Sequence, residues 1–180
     1  MHPHHISDIL FTPTKIQRRV NQLVDSMAPG CHAENFVMIG ILRGSFMFLA
    51  DLVRDLCQHG VHPRIDFITL ESYYSGTAST GTVHVAKDVS LDVQGSTVLL
   101  VDDILDSGRT LSFAKKHFLE KGAKEIRTCS FLDKPIRRVV PFDVDHVGFK
   151  VDDYFVVGYG LDYDGYYREL PHIAKVTFVD

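Results

Sequence analysis

"VLLVDDILDSGRTL", residues 98–111, is the stretch from which the rest of the chain can be read. An apolar run of strand type ends in Asp102, Asp103 and Asp106, and Ser-Gly-Arg-Thr and a helical pattern follow. Like charges this close repel one another, so the strand end calls for a positive partner or several hydroxyl donors. In open α/β sheets, ligands bind beyond the carboxyl ends of the strands. The turn at 106–110 offers backbone N–H groups, the Ser107 and Thr110 hydroxyls and a helix dipole to an anion. Gly108 lets backbone approach a phosphate closely. The G-x-x-x-x-G-K pattern of a Walker loop is missing. The picture is a monophosphate held by the loop, beside carboxylates that bind Mg²⁺ or accept the hydroxyls of a polyol. A sugar phosphate meets both demands. The competing reading, that the aspartates only cap a helix and solvate a turn, accounts for one carboxylate better than for three.

Outward from this stretch, strand and helix patterns alternate. "FVMIGIL" (36–42) and "STVLLV" (96–101) are continuous apolar runs, as expected of strands buried on both faces. "SFMFLADLVRDLC" (45–57) reads as a helix, with Ser45 at its N-cap. So does 13–27, where Ile16, Val20, Leu23, Val24 and Met27 recur at helical spacing behind Pro13. A third helix is expected over 110–123, ending at Gly122 as a C-cap. "RIDFITLESYY" (64–74) begins as a strand, and short strands are expected at 125–132, 145–149, 154–158 and 174–179. "SGTASTGTV" (75–83) is small, polar and glycine-dotted, and reads as mobile. The fold expected is α/β, a mainly parallel twisted sheet flanked by helices, in a single domain over 1–180.

The bulk properties agree. A chain of 180 residues suits one domain with a sizeable core. Its net charge of −4 argues against a general affinity for nucleic acid or acidic membranes. No apolar run approaches the length of a membrane span, and "MHPHHISDIL" does not read as a signal peptide. Cys31, Cys57 and Cys129, odd in number and widely spaced, suit the reduced thiols of a cytoplasm. His2, His4 and His5 read as part of a frayed terminus.

With its companions the opening stretch resembles the phosphoribosyl pyrophosphate signature of the type I phosphoribosyltransferases. "GILRGSFMFLADL" (40–52), "ESYYSG" (71–76), "LDKP" (132–135) and "FVVGYGLDYDGYYREL" (155–170) follow the family order. Together they narrow the resemblance to its bacterial hypoxanthine branch, over nearly the whole chain. The resemblance implies the family fold, with a small hood formed by the N-terminal residues and approximately 145–180. It implies a purine-salvage reaction: 5-phosphoribosyl 1-pyrophosphate and hypoxanthine, with guanine as a second base, give the nucleoside monophosphate and pyrophosphate. Mg²⁺ is the implied cofactor, and a cytoplasmic homodimer or homotetramer the implied assembly.

The same resemblance distributes the roles. Asp102 and Asp103 serve the ribose hydroxyls, directly or through the metal, and Asp106, Ser107, Gly108, Arg109 and Thr110 hold the ribose and its 5′-phosphate. Many relatives have Glu-Asp where this chain has Asp102-Asp103, one methylene shorter. Asp106 becomes the general base at purine N7, since a positioned carboxylate can take the proton the base must lose. Arg43, Gly44, Ser72, Tyr73 and Arg168 face the pyrophosphate, with Ser72 and Tyr73 in a mobile lid that excludes water from the reacting centre. The family often has lysine at Arg43, so its backbone role is the firmer one. Lys134 donates to the purine O6, Phe155 stacks on the ring, and Val156 offers its backbone. Asp162 contacts the 2-substituent of guanine and joins Asp102 and Asp103 as a metal ligand.

Two rivals stand beside this reading. A regulatory protein on the same fold that binds RNA or DNA relies on a basic face or an added DNA-binding domain. With 19 Lys plus Arg against 23 Asp plus Glu, this chain lacks the charge for such a face. An enzyme preferring guanine or xanthine differs only within the base pocket, and the sequence leaves that preference open.

Overall fold

The structure, a computed structural model, describes residues 3–73 and 81–179, apart from the side chains of Ser72 and Tyr73. Along the chain run β1 (His4–Phe11), α1 (Pro13–Met27), β2 (Phe36–Leu42), α2 (Phe46–Gln58), β3 (Arg64–Tyr73), β4 (Thr82–Lys87) and β5 (Thr97–Leu105). There follow α3 (Arg109–Glu120), β6 (Glu125–Asp133), β7 (His146–Lys150), β8 (Val156–Val157) and β9 (Ile173–Phe178). Six strands form the main sheet in the order β4-β3-β2-β5-β6-β7. All its neighbours pair in parallel except β4, which lies antiparallel to β3 at the edge. A second, antiparallel sheet has the order β1-β9-β8.

The unbroken apolar runs now have their reason. Along β2 and β5, alternate residues feed two different cores. Met38, Leu99 and Val101 pack under α1 and α2, with Val20, Leu23, Phe48 and Leu52. Val37, Ile39, Val98 and Leu100 pack under α3, with Leu111, Ala114 and Phe118. A strand covered by helices on both sides has no polar face to show. The small sheet shares the first core through Phe11, Val156 and Ile173, and the turn after β8 does so through Tyr159 and Leu161. Among the described residues no helix is long and apolar enough to cross a membrane.

The topology points to the site. From β2 the chain crosses to β3 on one side, while β5, β6 and β7 build outward on the other. The order therefore reverses between β2 and β5, and a crevice opens where the connections leaving their carboxyl ends diverge. Those ends are Leu42-Arg43-Gly44 and Asp102-Asp103, held level by the pairing of Gly40 with Val101.

Several expectations change. The N-terminus is not frayed from His4 onward: His4–Phe11 is β1, paired with β9. His4 is held within 2.9 Å of the Tyr167 hydroxyl and sits edge-on to the Tyr163 ring. A strand that is only half-buried, with its partner more than 160 residues away, leaves little local trace. Thr82 and Val83, read as the end of a mobile stretch, open β4 and pair with Tyr73 and Ser72. The rest of that stretch, 75–80, lies outside the described residues. The strand expected at 154–158 shrinks to two residues. Ser45 occupies the N-cap position of α2 without capping it, because its hydroxyl donates instead to the Ile41 carbonyl at 2.7 Å. Gly122 does close α3 as expected, with bonds from Gly122 N to Leu119 O and from Ala123 N to Phe118 O.

Candidate active site

At the crevice a cleft of about 340 Å³ is lined by Arg43 and Gly44 from the end of β2 and by Asp102 and Asp103 from β5. Asp106, Ser107, Gly108 and Thr110 from the following turn, and Asp162 and Arg168 from the segment before β9, complete its polar wall. A smaller pocket of about 210 Å³ adjoins it, lined by Lys134, Phe155, Val156 and Leu161, and shares Asp103, Ile104 and Asp162 with the cleft. Residues spread over more than 120 positions of sequence thus meet in two connected chambers. One is rich in carboxylates and anion donors, the other largely apolar with one ammonium group.

The two glycines of the cleft are there because of neighbours. A Cβ on Gly44 would overlap the Asp103 carboxylate, so only glycine lets the ends of β2 and β5 close on each other. The Leu42–Arg43 peptide beside it is cis. Gly108 has φ +84° and stands at the N-cap position of α3. A Cβ there would overlap the Val140 carbonyl, so the close approach that demands glycine is to residues 138–140 rather than to a phosphate. That packing is reinforced by Val139 N and Val140 N, which both donate to Ser107 O. The phosphate-loop candidate is therefore braced from behind.

No side chain caps α3, and its first turn contains no acidic residue. Apart from that of Arg109, the first N–H groups of the helix have no side-chain cap and can serve an anion, and the reading of the aspartates as mere caps falls. Ser107 and Thr110 line the cleft as expected. The Arg109 side chain does not; it lines a separate groove with Gly81, Thr82, Phe113 and Lys116. Only its backbone, whose N–H donates to Ser107 Oγ at 3.4 Å, belongs to the turn.

The electrostatics of the carboxylates is unusual. Burial, and then the charge of Asp103, push the Asp102 carboxyl well above its ordinary range, and burial raises Asp103 as well. Asp102 Oδ1 accepts from Asp103 N, and Asp103 Oδ1 from Ile104 N, which fixes both groups but neutralises neither. Two carboxylates buried side by side are an unfavourable place for negative charge. A cation, or hydroxyl donors from a sugar, would relieve it. Asp162 is held by Arg168 (2.7 Å) and by Gly165 N (2.7 Å). All three carboxylates are oxygen donors of the kind Mg²⁺ takes. Among the described residues no three His, Cys, Asp or Glu side chains form a ready cage. The donor set fits an ion that shares one or two carboxylates with phosphate oxygens of a bound substrate.

Asp106 differs from its neighbours. Its Oδ1 is buried and has no hydrogen-bond partner, a condition few native polar atoms tolerate without a ligand to meet. In the adjoining pocket, burial lowers Lys134 below the usual ammonium range, and the Asp106 charge acts in the opposite direction. Lys134 N donates to Leu105 O, which ties the start of the loop after β6 to the end of β5. Phe155, 42% exposed, meets the Tyr163 and Phe178 rings nearly at right angles.

Of the site residues expected from sequence, those with described side chains gather here, Arg109 excepted; Ser72 and Tyr73 have no described side chains. Sequence reasoning missed Ile104 and Leu161, apolar spacers inside the two motifs that become pocket wall. It also missed Asp51 and Tyr159, whose hydrogen bond spans 108 positions.

Comparison with known proteins agrees with this geometry. Residues 14–164 match the family model described as the phosphoribosyl transferase domain. The hypoxanthine phosphoribosyltransferase of Escherichia coli K12 is 40% identical over 178 residues, covering 98% of each chain. The hypoxanthine-guanine phosphoribosyltransferase of Aquifex aeolicus is 43% identical over 169 residues, 93% of each. A crystal structure of a hypoxanthine-guanine phosphoribosyltransferase from Bacillus anthracis superposes with a TM-score of 0.87 at 40% identity, covering 97% of this chain and 99% of that one. A sheet that reverses order at two acidic strand ends, a braced anion turn, and these relatives over nearly full length lead to one conclusion: the chain belongs to the phosphoribosyl transferase family.

Proposed function

We propose that this protein is a purine-salvage enzyme that transfers the 5-phosphoribosyl group of 5-phosphoribosyl 1-pyrophosphate to hypoxanthine, and to guanine as a second base. The observation that carries the reading is the buried, unpartnered Asp106 Oδ1 at the wall of the cleft, next to the pocket that holds Lys134. The relatives, a hypoxanthine and a hypoxanthine-guanine phosphoribosyltransferase, support the same bases.

The residues divide the work as follows. The N–H groups at the start of α3, with Ser107 and Thr110, hold the 5′-phosphate. Asp102 and Asp103 accept the ribose hydroxyls, and their burial makes those bonds strong. The backbone of Arg43-Gly44, with Arg168, receives the pyrophosphate. In the smaller pocket Phe155 stacks on the purine, Val156 offers its backbone, and Lys134 donates to O6. As N9 forms its bond to C1′, the C1′–O bond breaks and its electron pair leaves with pyrophosphate. The N7 proton passes to Asp106, which is placed as general base. Mg²⁺, held by Asp102, Asp103 and Asp162 together with the substrate, would offset the charge of the departing pyrophosphate. The small sheet and the segment after β7 serve as a hood over the base. Ile65 and Phe67, both exposed on one face of β3, support self-association into a homodimer or homotetramer. Three free cysteines suit a cytoplasmic setting.

The test is a steady-state comparison of hypoxanthine, guanine, xanthine and adenine, with Mg²⁺ and in excess EDTA. Hypoxanthine should lead, adenine should be very poor, and the chelator should abolish turnover. Comparable kcat/KM for adenine and hypoxanthine would remove the base-pocket assignment, and full turnover in EDTA the metal assignment.

A further inference from the structure

The hairpin turn at Gly158–Leu161 carries an unusual residue. Gly158 and Leu161 exchange both backbone hydrogen bonds, and the two residues between them, Tyr159 (φ +48°) and Gly160 (φ +102°), have positive φ. Such a turn is ordinarily built from glycine and asparagine. A tyrosine in the left-handed region is uncommon and needs the surroundings to hold it there.

What holds it is visible on the far side of the core. The Tyr159 hydroxyl donates to Asp51 Oδ2 on α2 at 2.5 Å, and Asp51 Oδ1 is paired with Arg54. The ring is buried against Phe131, with centroids 4.8 Å apart. Burial and the neighbouring carboxylate raise the phenol, so it stays a donor. On the near side, the turn is pressed against the loop after β2. A Cβ on Gly160 would overlap the Gly44 carbonyl, and Gly160 O accepts from Arg168 at 2.7 Å. Gly44 in turn abuts Asp103.

We infer that the Tyr159–Asp51 hydrogen bond is a strut that sets the Gly160 turn against Gly44 and so positions the pyrophosphate subsite. Tyr159 and Asp51 are positioning residues; neither lines the cleft. The inference rests on the reading of Arg43-Gly44 and Arg168 as that subsite. The strut acts on that subsite more than on the base pocket, because Gly160 touches Gly44 directly. The base-pocket side of the turn is fixed separately by the Gly158–Leu161 bonds and by the pairing of β8 with β9.

Tyr159→Phe keeps the ring and its packing and removes only the hydroxyl. It should raise KM for 5-phosphoribosyl 1-pyrophosphate about tenfold, with KM for hypoxanthine changed less than twofold. Asp51→Ala should do the same, the double variant should be no worse than either single, and Asp51→Asn, whose amide oxygen still accepts from Tyr159, should restore normal KM. A merely structural bond would lower the melting temperature of Tyr159→Phe and Asp51→Ala and leave both KM values alone, which overturns the strut. Failure of Asp51→Asn to rescue also overturns it. Hydrogen exchange on the wild-type protein separates the premise from the inference. Amides 43–45 should gain protection when Mg²⁺ and pyrophosphate are added; no change there would remove the subsite reading and the strut with it.

Discussion

Asp106→Asn separates chemistry from architecture at the centre of the site. Asn is nearly isosteric and keeps an acceptor oxygen, but it cannot take a proton or offset positive charge on the purine. Loss of a positioned general base costs about 10²–10⁴ in rate, or about 2.7–5.5 kcal/mol of barrier. The structural cost should be small. Asp106 does not cap α3, since Gly108 stands at the N-cap, and its Oδ1 makes no hydrogen bond to lose. The turn itself is braced by two N–H groups donating to Ser107 O. Stability should therefore change by about 1 kcal/mol or less, a melting shift of about 2–4 °C for a chain of this size. Affinity for 5-phosphoribosyl 1-pyrophosphate, read by calorimetry, should be unchanged. Single-turnover measurement with hypoxanthine reads the chemical step directly. A variant with near-normal kcat would mean that the third aspartate is structural and the base assignment is wrong.

Other perturbations probe the surroundings. Lys134→Met keeps the stem and removes the donor to O6; kcat/KM for hypoxanthine should fall ten- to hundredfold, about 1.4–2.7 kcal/mol, with the adenine value unmoved. An equal fall for both bases would place Lys134 outside base selection. Gly44→Ala puts a Cβ into the Asp103 carboxylate; a folded protein by circular dichroism with at least about hundredfold lower kcat/KM is expected, and full activity would show that the two strand ends can part without cost. Asp88 opposes its own burial with bonds from Lys121, His117 and Val89 N, and its carboxyl is lowered to about 2. Because the folded value is depressed, its contribution is present above the unfolded carboxylate range and is lost as pH falls toward 2. Asp88→Asn should cost about 1 kcal/mol at neutral pH, once solvent screening of this half-exposed group is allowed for. The gap in melting temperature should close in acid, and a gap that persists at pH 2 would refute the ion-pair account.

Much of this protein was legible in one dimension. The unbroken runs at 36–42 and 96–101 announced strands covered on both faces, because a strand with one wet face has to alternate. The helix over 13–27 followed from its apolar spacing and Pro13, and the end of α3 from Gly122, since caps are local chemistry. Asp102, Asp103, Asp106 and the turn after them were readable for the same reason: strand end, carboxylates and anion donors lie within nine residues. What sequence alone could not decide was whatever depends on partners far along the chain. β1 is a strand because β9 pairs with it, and nothing near His4 says so. Gly44 and Gly108 are glycines because of Asp103 and Val140, which reach them only through the fold. Arg109 lies within the anion turn in sequence, yet its side chain lies in another groove, because one step along a helix turns the side chain by about 100°. Asp51 and Tyr159 carry no motif of their own. Only packing α2 against the turn after β8 brings a carboxylate to that hydroxyl, and only the tertiary structure could reveal it.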